Sequence, residues 1–262
     1  MSEVKLINGD CLEEMQKLID DDVKVDMVLT DPPYGTTACK WDSIIPFDEM
    51  WNCLDGITNE RTPILLFGTQ PFISELIHSN INNFKYVFIW DKQGNTTPML
   101  AKKQPLRIHE EIAIFYKKQP YYNPQRVPRR FGDQTRTYEN DKKRTQIGAD
   151  SVYGEHWCSR YYEDDGTRYP TSIIYHISHQ TDECHRAKRI HPTQKPVALL
   201  KWLIKNFTKE NDTVLDFTMG SGSTGVACLQ TNRNFIGIEL DKKYYDIAKQ
   251  RINEAKAQRR LI

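Results

Sequence analysis

Between Thr213 and Phe217 the chain reads as a short buried strand, and Gly220, Ser221, Gly222, Ser223, Thr224 and Gly225 follow it closely. Small residues at Gly-x-Gly-x-x-Gly spacing let a chain turn sharply out of a strand and let a ligand approach the backbone. The apolar run Gly225 to Leu229 predicts a helix behind the turn. A strand, a tight glycine turn and a helix form a βα unit, which belongs to a wound sheet with a ligand crevice at its strand ends. A second strand, Asn234 to Leu240, carries Glu239 to about twenty residues past the first glycine, where a carboxylate accepts from both hydroxyls of a ribose. Nicotinamide-dependent enzymes use the same turn and the same acid, so this fingerprint leaves the rest of the ligand open.

The remainder of the chain repeats the alternation. Strand-like runs fall at Val4 to Ile7, Asp26 to Thr30, Pro63 to Phe67, Tyr86 to Trp90 and Ile112 to Tyr116. Apolar residues at helical spacing fill Cys11 to Ile19, Phe72 to Ile77 and Pro196 to Phe207, the last with a proline start. This pattern predicts an α/β wound sheet. A chain of 262 residues can bury a large core as one domain with an insertion.

A second feature sits early, where Asp31, Pro32, Pro33 and Tyr34 follow the run Val25 to Thr30. At the carboxyl edge of a parallel sheet the two prolines fix the backbone and remove two N–H donors, so neighbouring carbonyls can face a ligand. Asp31 and the Pro32 carbonyl can accept the two hydrogens of an exocyclic amine, and Tyr34 can stack on a planar base. Asp-Pro-Pro is also ordinary turn chemistry. With an adenosine site in the same chain, however, the corner implies a methyl donor with an adenosine body and a base as acceptor.

At these residues the chain resembles the amino-methyltransferases of DNA, which carry an Asp-Pro-Pro-Tyr tetrapeptide and a glycine-rich site for S-adenosyl-L-methionine. The order, with the catalytic motif first and the cofactor loop last, is that of the permuted group called beta class. His191, Pro192, Thr193, Gln194, Lys195 and Pro196 match the segment that opens the helix before the cofactor strand. One departure lies at Asp216, Phe217, Thr218 and Met219, where the family commonly writes Asp-Pro-Phe and the aromatic here comes one place early.

The resemblance implies a Rossmann-like methyltransferase sheet, mostly parallel with one antiparallel strand, and a target-recognition insertion. From about Gln119 to Arg189 periodicity fades while turn residues, arginines and tyrosines accumulate, which divides the chain into a catalytic half at 1–118, a recognition region at 119–189 and a cofactor-binding half at 190–262. The resemblance further implies direct methyl transfer to the N6 amine of a flipped adenine in double-stranded DNA, with Asp31, Pro32, Pro33 and Tyr34 as the catalytic residues. Asp10, Lys195, Asp216, Gly220, Ser221, Gly222, Ser223, Thr224 and Glu239 would bind the cofactor. Aspartate at the first motif position resembles the adenine-modifying members, whereas serine is frequent in the cytosine-N4 group. A restriction-modification setting and a homodimer are both compatible with the resemblance.

Several residues keep a second reading. Asp10 suits either an N-cap for the helix from Leu12 or an adenine contact, and Lys195 either a cofactor carboxylate or solvent. Arg126, Arg129, Arg130, Arg136, Lys142, Lys143 and Arg144, interleaved with Tyr121, Tyr122, Phe131 and Tyr138, form the expected DNA-binding stretch; a solvated excursion is the plain alternative. The stretch Lys92 to Arg107, with Met99 and Leu100, reads as a loop over the base pocket or as an ordinary packed loop. His156, Cys158, His176, His179, Cys184 and His185 have poor spacing for zinc, and no metal is expected.

Composition narrows the partners. A net charge of +1 excludes a histone-like basic coat, so affinity for DNA must come from a local patch. Six scattered cysteines without a Cys-x-x-Cys pair, no apolar leader and no long apolar stretch predict a cytoplasmic protein that crosses no membrane. A nicotinamide-dependent oxidoreductase would leave the Asp31 to Tyr34 corner unexplained, and a non-catalytic DNA-binding module would leave both sites idle.

Overall fold

The computed structural model describes residues 2–35, 43–94, 101–129, 146–147, 156–157, 166–178 and 194–259. In chain order the elements are β1 (Val4–Asn8), α1 (Cys11–Asp20), β2 (Met27–Thr30), α2 (Phe47–Ile57), β3 (Ile64–Gly68), α3 (Phe72–Ser79), β4 (Phe84–Asp91) and β5 (His109–Phe115). Four two-residue ladder strands follow: β6 (Val127–Pro128), β7 (Gln146–Ile147), β8 (His156–Trp157) and β9 (Thr167–Arg168). The chain continues through β10 (Ile173–Ile174), α4 (Val197–Phe207), β11 (Thr213–Asp216), α5 (Ser223–Gln230), β12 (Asn234–Glu239) and α6 (Lys242–Arg259).

The main sheet runs in the order β1-β12-β11-β2-β3-β5-β4-β10. Its pairs are parallel except for β3 with β5 and β4 with β5, so β5 alone runs against the others, as the family resemblance implies. β2 and β3 are buried along their whole length, the pattern of a parallel strand covered on both faces. Because side chains alternate, Val28, Ile64 and Leu66 meet Met15 and Leu18 of α1, Leu54 and Ile57 of α2, and Ile73 and Leu76 of α3 in one apolar cluster. On α4, Trp202 lies against Phe88 of β4 at 5.7 Å between rings. α5 stacks on α6 and β12, where a Cβ added at Gly225 would come within 2.5 Å of Ile252 and 2.7 Å of Phe235.

Local chemistry explains the element ends. Asp10 caps α1, its Oδ1 accepting from the Leu12 and Glu13 amides at 2.9 and 3.3 Å. Pro196 stands at the N-cap with extended geometry, and the helix begins at Val197 rather than at the proline itself. α5 starts at Ser223, inside the glycine motif rather than after it, because Gly222 takes the left-handed conformation at φ 77° and turns the chain straight into the helix. Two helices, α2 and α6, were not foreseen. Phe47 to Ile57 does bury Met50, Trp51, Leu54 and Ile57 at helical spacing.

The chain divides into two compact units, one comprising residues 1–125 and 171–262 and the other 126–170. The flanks of the 119–189 stretch join the main unit. Asn123 N donates to Asn206 O at 2.7 Å, Gln125 N donates to Asn206 Oδ1 at 3.0 Å, and β10 pairs with β4. Within the smaller unit β6 pairs with β9 and β7 with β8, both antiparallel.

Candidate active site

β2 and β11 are neighbours in register, with Val214 opposite Met27 and Leu215 opposite Val28. The chain segments that leave their carboxyl ends therefore emerge side by side. One begins at Asp31, the other at Phe217, and both line a cavity of about 660 Å³, within the usual range for small-molecule sites. Asp31, Pro32, Pro33 and Tyr34 line it, as do Asp10, Lys195, Asp216, Gly220, Ser221, Ser223, Thr224 and Glu239.

Hydroxyl groups join the two strand ends. Thr30 Oγ1 donates to Asp216 Oδ1 at 2.6 Å and lies 2.6 Å from Thr218 Oγ1, which in turn donates to the Asp31 carbonyl at 3.2 Å. Asp216 is 4% exposed and also accepts from Thr218 N at 3.2 Å and from the Thr224 side chain. Burial pushes its carboxyl up to about 6, against the lowering pull of Thr224 and Thr30. Asp216 thus fixes the shape of the turn from beneath.

The glycine turn leaves β11 through Gly220 and Gly222, at φ 52° and 77°. Gly220 N donates to Glu239 Oε2 at 2.8 Å, and Asp241 N donates to Oε1 at 2.8 Å. These bonds aim the carboxylate at the turn while burial holds its pKa above the ordinary glutamate value. Arg251 on α6, which the sequence reading passed over, donates to the Ser221 carbonyl at 2.5 Å and reaches Ser221 Oγ and Ser223 Oγ at 3.0 and 3.3 Å. It braces the loop from behind.

At the other end of the cavity, the Tyr34 hydroxyl donates to Asp31 Oδ1, and the Tyr34 ring packs against Phe72 with centroids 5.0 Å apart. Lys195 is 8% exposed, which removes the solvated reading. Its Nζ stands 2.5 Å from Asp31 Oδ2 and 3.2 Å from Glu110 Oε2, and 4.9 Å from the centre of the Phe67 ring. Glu110, at the start of β5, also pairs with Lys92. Burial raises the pKa of Asp31, with Lys195 opposing and Glu110 adding to the rise. For Glu110 burial acts in the same sense, but Lys195 and Lys92 outweigh it and bring the carboxyl down to about 2. For Lys195 burial lowers the pKa, and the two carboxylates more than offset it.

Glu110 and Lys92 were missed because His109, Glu110 and Glu111 look like a polar approach to a strand starting at Ile112, whereas β5 already begins at His109. The only available signal was a run of charge immediately before a buried strand. Of the expected DNA-binding residues, Arg126 and Arg129 are described. Arg126 Nε donates to Thr167 Oγ1 at 2.6 Å and its guanidinium lies 5.2 Å from the Tyr169 ring centre. Arg130, Arg136, Lys142, Lys143 and Arg144 lie outside the described residues, as do Met99, Leu100 and His191 to Thr193. Among the described residues no group of three His, Cys, Asp or Glu side chains could hold a metal ion. None of the helices searched there is long and apolar enough to cross a membrane.

The family model described as DNA methylase matches residues 25–250. The Type II methyltransferase M.HpaI of Haemophilus parainfluenzae is 24% identical over 263 residues, covering 95% of this chain and 74% of its own. Among solved structures, the M1.HpyAVI–SAM complex superposes with a TM-score of 0.60 at 24% identity, covering 95% of this chain and 99% of that one. The cytosine-N4-specific PvuII DNA methyltransferase gives a TM-score of 0.63 at 13% identity, covering 97% and 92%.

Proposed function

The chain belongs to the DNA methylase family, and from that premise we propose that it transfers a methyl group from S-adenosylmethionine to the N6 amine of an adenine in double-stranded DNA. The observation that carries this reading is the single cavity shared by the Asp31 corner and the glycine turn. Methyl donor and amine can meet there without either group crossing the sheet.

The residues present suit the donor. Glu239 offers its carboxylate to ribose hydroxyls, and Gly220, at positive φ on the cavity wall, allows a ligand close to the backbone. Asp10 stands at the same wall, its Oδ1 engaged with the α1 amides. When bound, S-adenosylmethionine supplies an electrophilic methyl carbon on a sulfonium. Among the chain's own groups, Asp31 and the Pro32 carbonyl would accept the two amine hydrogens. This favours a pyramidal nitrogen whose lone pair points at the methyl carbon. With the methyl group taken up and the electron pair of the broken S–C bond left on sulfur, the nitrogen would release one proton toward Asp31 or water.

Asp31 acts here as an acceptor rather than as a strong base, because the nitrogen becomes acidic only once it carries the methyl group. The target must leave the base stack to reach the cavity, at a cost of a few kcal/mol. Residues 119–189 are the proposed recognition region, with Arg126 and Arg129 among its DNA-binding residues. The three described cysteines, Cys11, Cys53 and Cys228, are buried free thiols, in keeping with a cytoplasmic setting. A homodimer and a restriction-modification role remain proposals of the same kind.

The test is methyl transfer from tritiated S-adenosylmethionine to bacterial genomic DNA lacking adenine methylation, followed by mass spectrometry of the nucleosides. N6-methyl-2′-deoxyadenosine is the expected product. N4-methylcytosine would move the reading to the other amine, and binding of nicotinamide dinucleotide with no transfer would overturn it.

A further inference from the structure

Lys195 is held between two carboxylates, and the second of them belongs to neither sequence motif. Asp31 Oδ2 is 2.5 Å from Nζ and Glu110 Oε2 is 3.2 Å away, while Lys92 holds the other Glu110 oxygen. The side chains of Lys195, Glu110 and Lys92 are 8%, 12% and 12% exposed, so these charges act on each other at low effective dielectric. The set is neutral as it stands: two carboxylates against two ammonium groups. Three separate parts of the chain build it, namely the exit of β2, the β4–β5 hairpin and the entry to α4.

We infer that Glu110 is a positioning residue for methyl transfer: anchored by Lys92, it takes a share of the Lys195 ammonium and thereby sets how tightly Lys195 grips the Asp31 carboxylate. The inference rests on the proposed function for its kinetic consequence, and on the geometry alone for the grip. Tyr34 already occupies Asp31 Oδ1. Were Lys195 to bind Asp31 exclusively, the carboxylate would have less capacity left for an amine hydrogen. Without Glu110 the corner would also carry one excess positive charge, where a sulfonium is to be seated and an amine nitrogen is to gain positive charge.

The charged and titratable groups that face Asp31 are Tyr34 on its own segment, Lys195 before α4, Glu110 on β5 with Lys92 behind it, and Asp216 at the end of β11. Their signs fix the expected shifts. Glu110→Gln removes a negative charge and gives Lys195 wholly to Asp31, so Asp31 should titrate at lower pH. Lys195→Met removes the positive partner and should move it to higher pH. Lys92→Met leaves Glu110 to pull on Lys195 alone and should also move it upward.

Two readouts test this on the full chain. Asp31 is followed by carbon-13 NMR of side-chain-labelled aspartate, its signal identified by its loss in Asp31→Asn. In parallel, kcat is measured against pH with tritiated S-adenosylmethionine and genomic DNA lacking adenine methylation. Glu110→Gln should lower kcat roughly tenfold to a hundredfold, the usual scale for groups that orient a site residue, with the KM for DNA unchanged. The acid limb should move to lower pH and Glu110→Asp should restore part of the rate. An Asp31 titration that stays in place in both Glu110→Gln and Lys92→Met overturns the inference, whatever happens to the rate. If the titration moves as stated while the unaltered protein transfers no methyl group to DNA, the grip of Glu110 stands and the proposed function falls.

Discussion

The Thr30 hydroxyl donates to Asp216 Oδ1 across 2.6 Å, joining the last residues of two strands that are 186 positions apart in the chain. This bond is buried, and it ties the base-gripping corner to the glycine turn through two adjacent strand ends. A shift of either strand along the other would separate the two motifs, so the hydroxyl and the carboxyl together fix their alignment.

Asp216 makes stability depend on pH in a direction opposite to most paired carboxylates. Its pKa rises from 3.8 to about 6 on burial, so between those values the folded chain holds a proton that the unfolded chain has released. Its stabilisation is complete below 3.8 and lost as pH climbs through about 6. Asp216→Asn should remove that part of the slope, read as a flatter difference in urea midpoint across the window.

Asp31→Asn keeps the shape of the side chain and removes its charge. Methyl transfer should fall by about a hundredfold or more, the scale for loss of a preorganised electrostatic partner. Calorimetric binding of S-adenosylmethionine should stay near that of the unaltered protein. A variant that retained full activity would refute the role given to this corner.

Glu239→Gln should weaken S-adenosylmethionine binding while leaving the fold intact. Hydrogen bonds to a charged acceptor contribute about 1.5–3 kcal/mol, so an increase in Kd of roughly tenfold to a hundredfold is expected by calorimetry. Part of the loss would come from the turn itself, since Gly220 N donates to the same carboxylate.

Gly225→Ala tests the packing behind the turn. An added Cβ would fall 2.5 Å from Ile252 Cδ1 and 2.7 Å from the Phe235 ring, too close unless both side chains give way. Overpacking of this kind costs about 1–3 kcal/mol, and a lower thermal midpoint is the expected observation.

Much of this arrangement was readable beforehand, for reasons that particular residues make clear. β2 and β11 announce themselves as apolar runs ending in special backbone chemistry, prolines after one and glycines after the other. α4 shows its face through Val197, Leu200, Leu203, Ile204 and Phe207, all of them buried except Val197. Glu110, Lys92 and Arg251 were not readable as site residues because each acts across the fold. Arg251, for example, reaches Ser221 from a helix with a weak apolar stripe. Thr30 carried no signal, since a threonine at a strand end fits any sheet, and Thr218 stood out only as part of the departure from Asp-Pro-Phe.

The strand order has a consequence for the chain as it leaves the ribosome. β1 and β2 are made early, yet the slot between them is filled by β12 and β11, and Asn8 must wait for Glu239, 231 positions later. Until then the half-built product exposes the inner edge of β2, a template for wrong pairing. It carries the Asp31 corner with no seat for a donor, so an interrupted chain would be sticky but chemically inert.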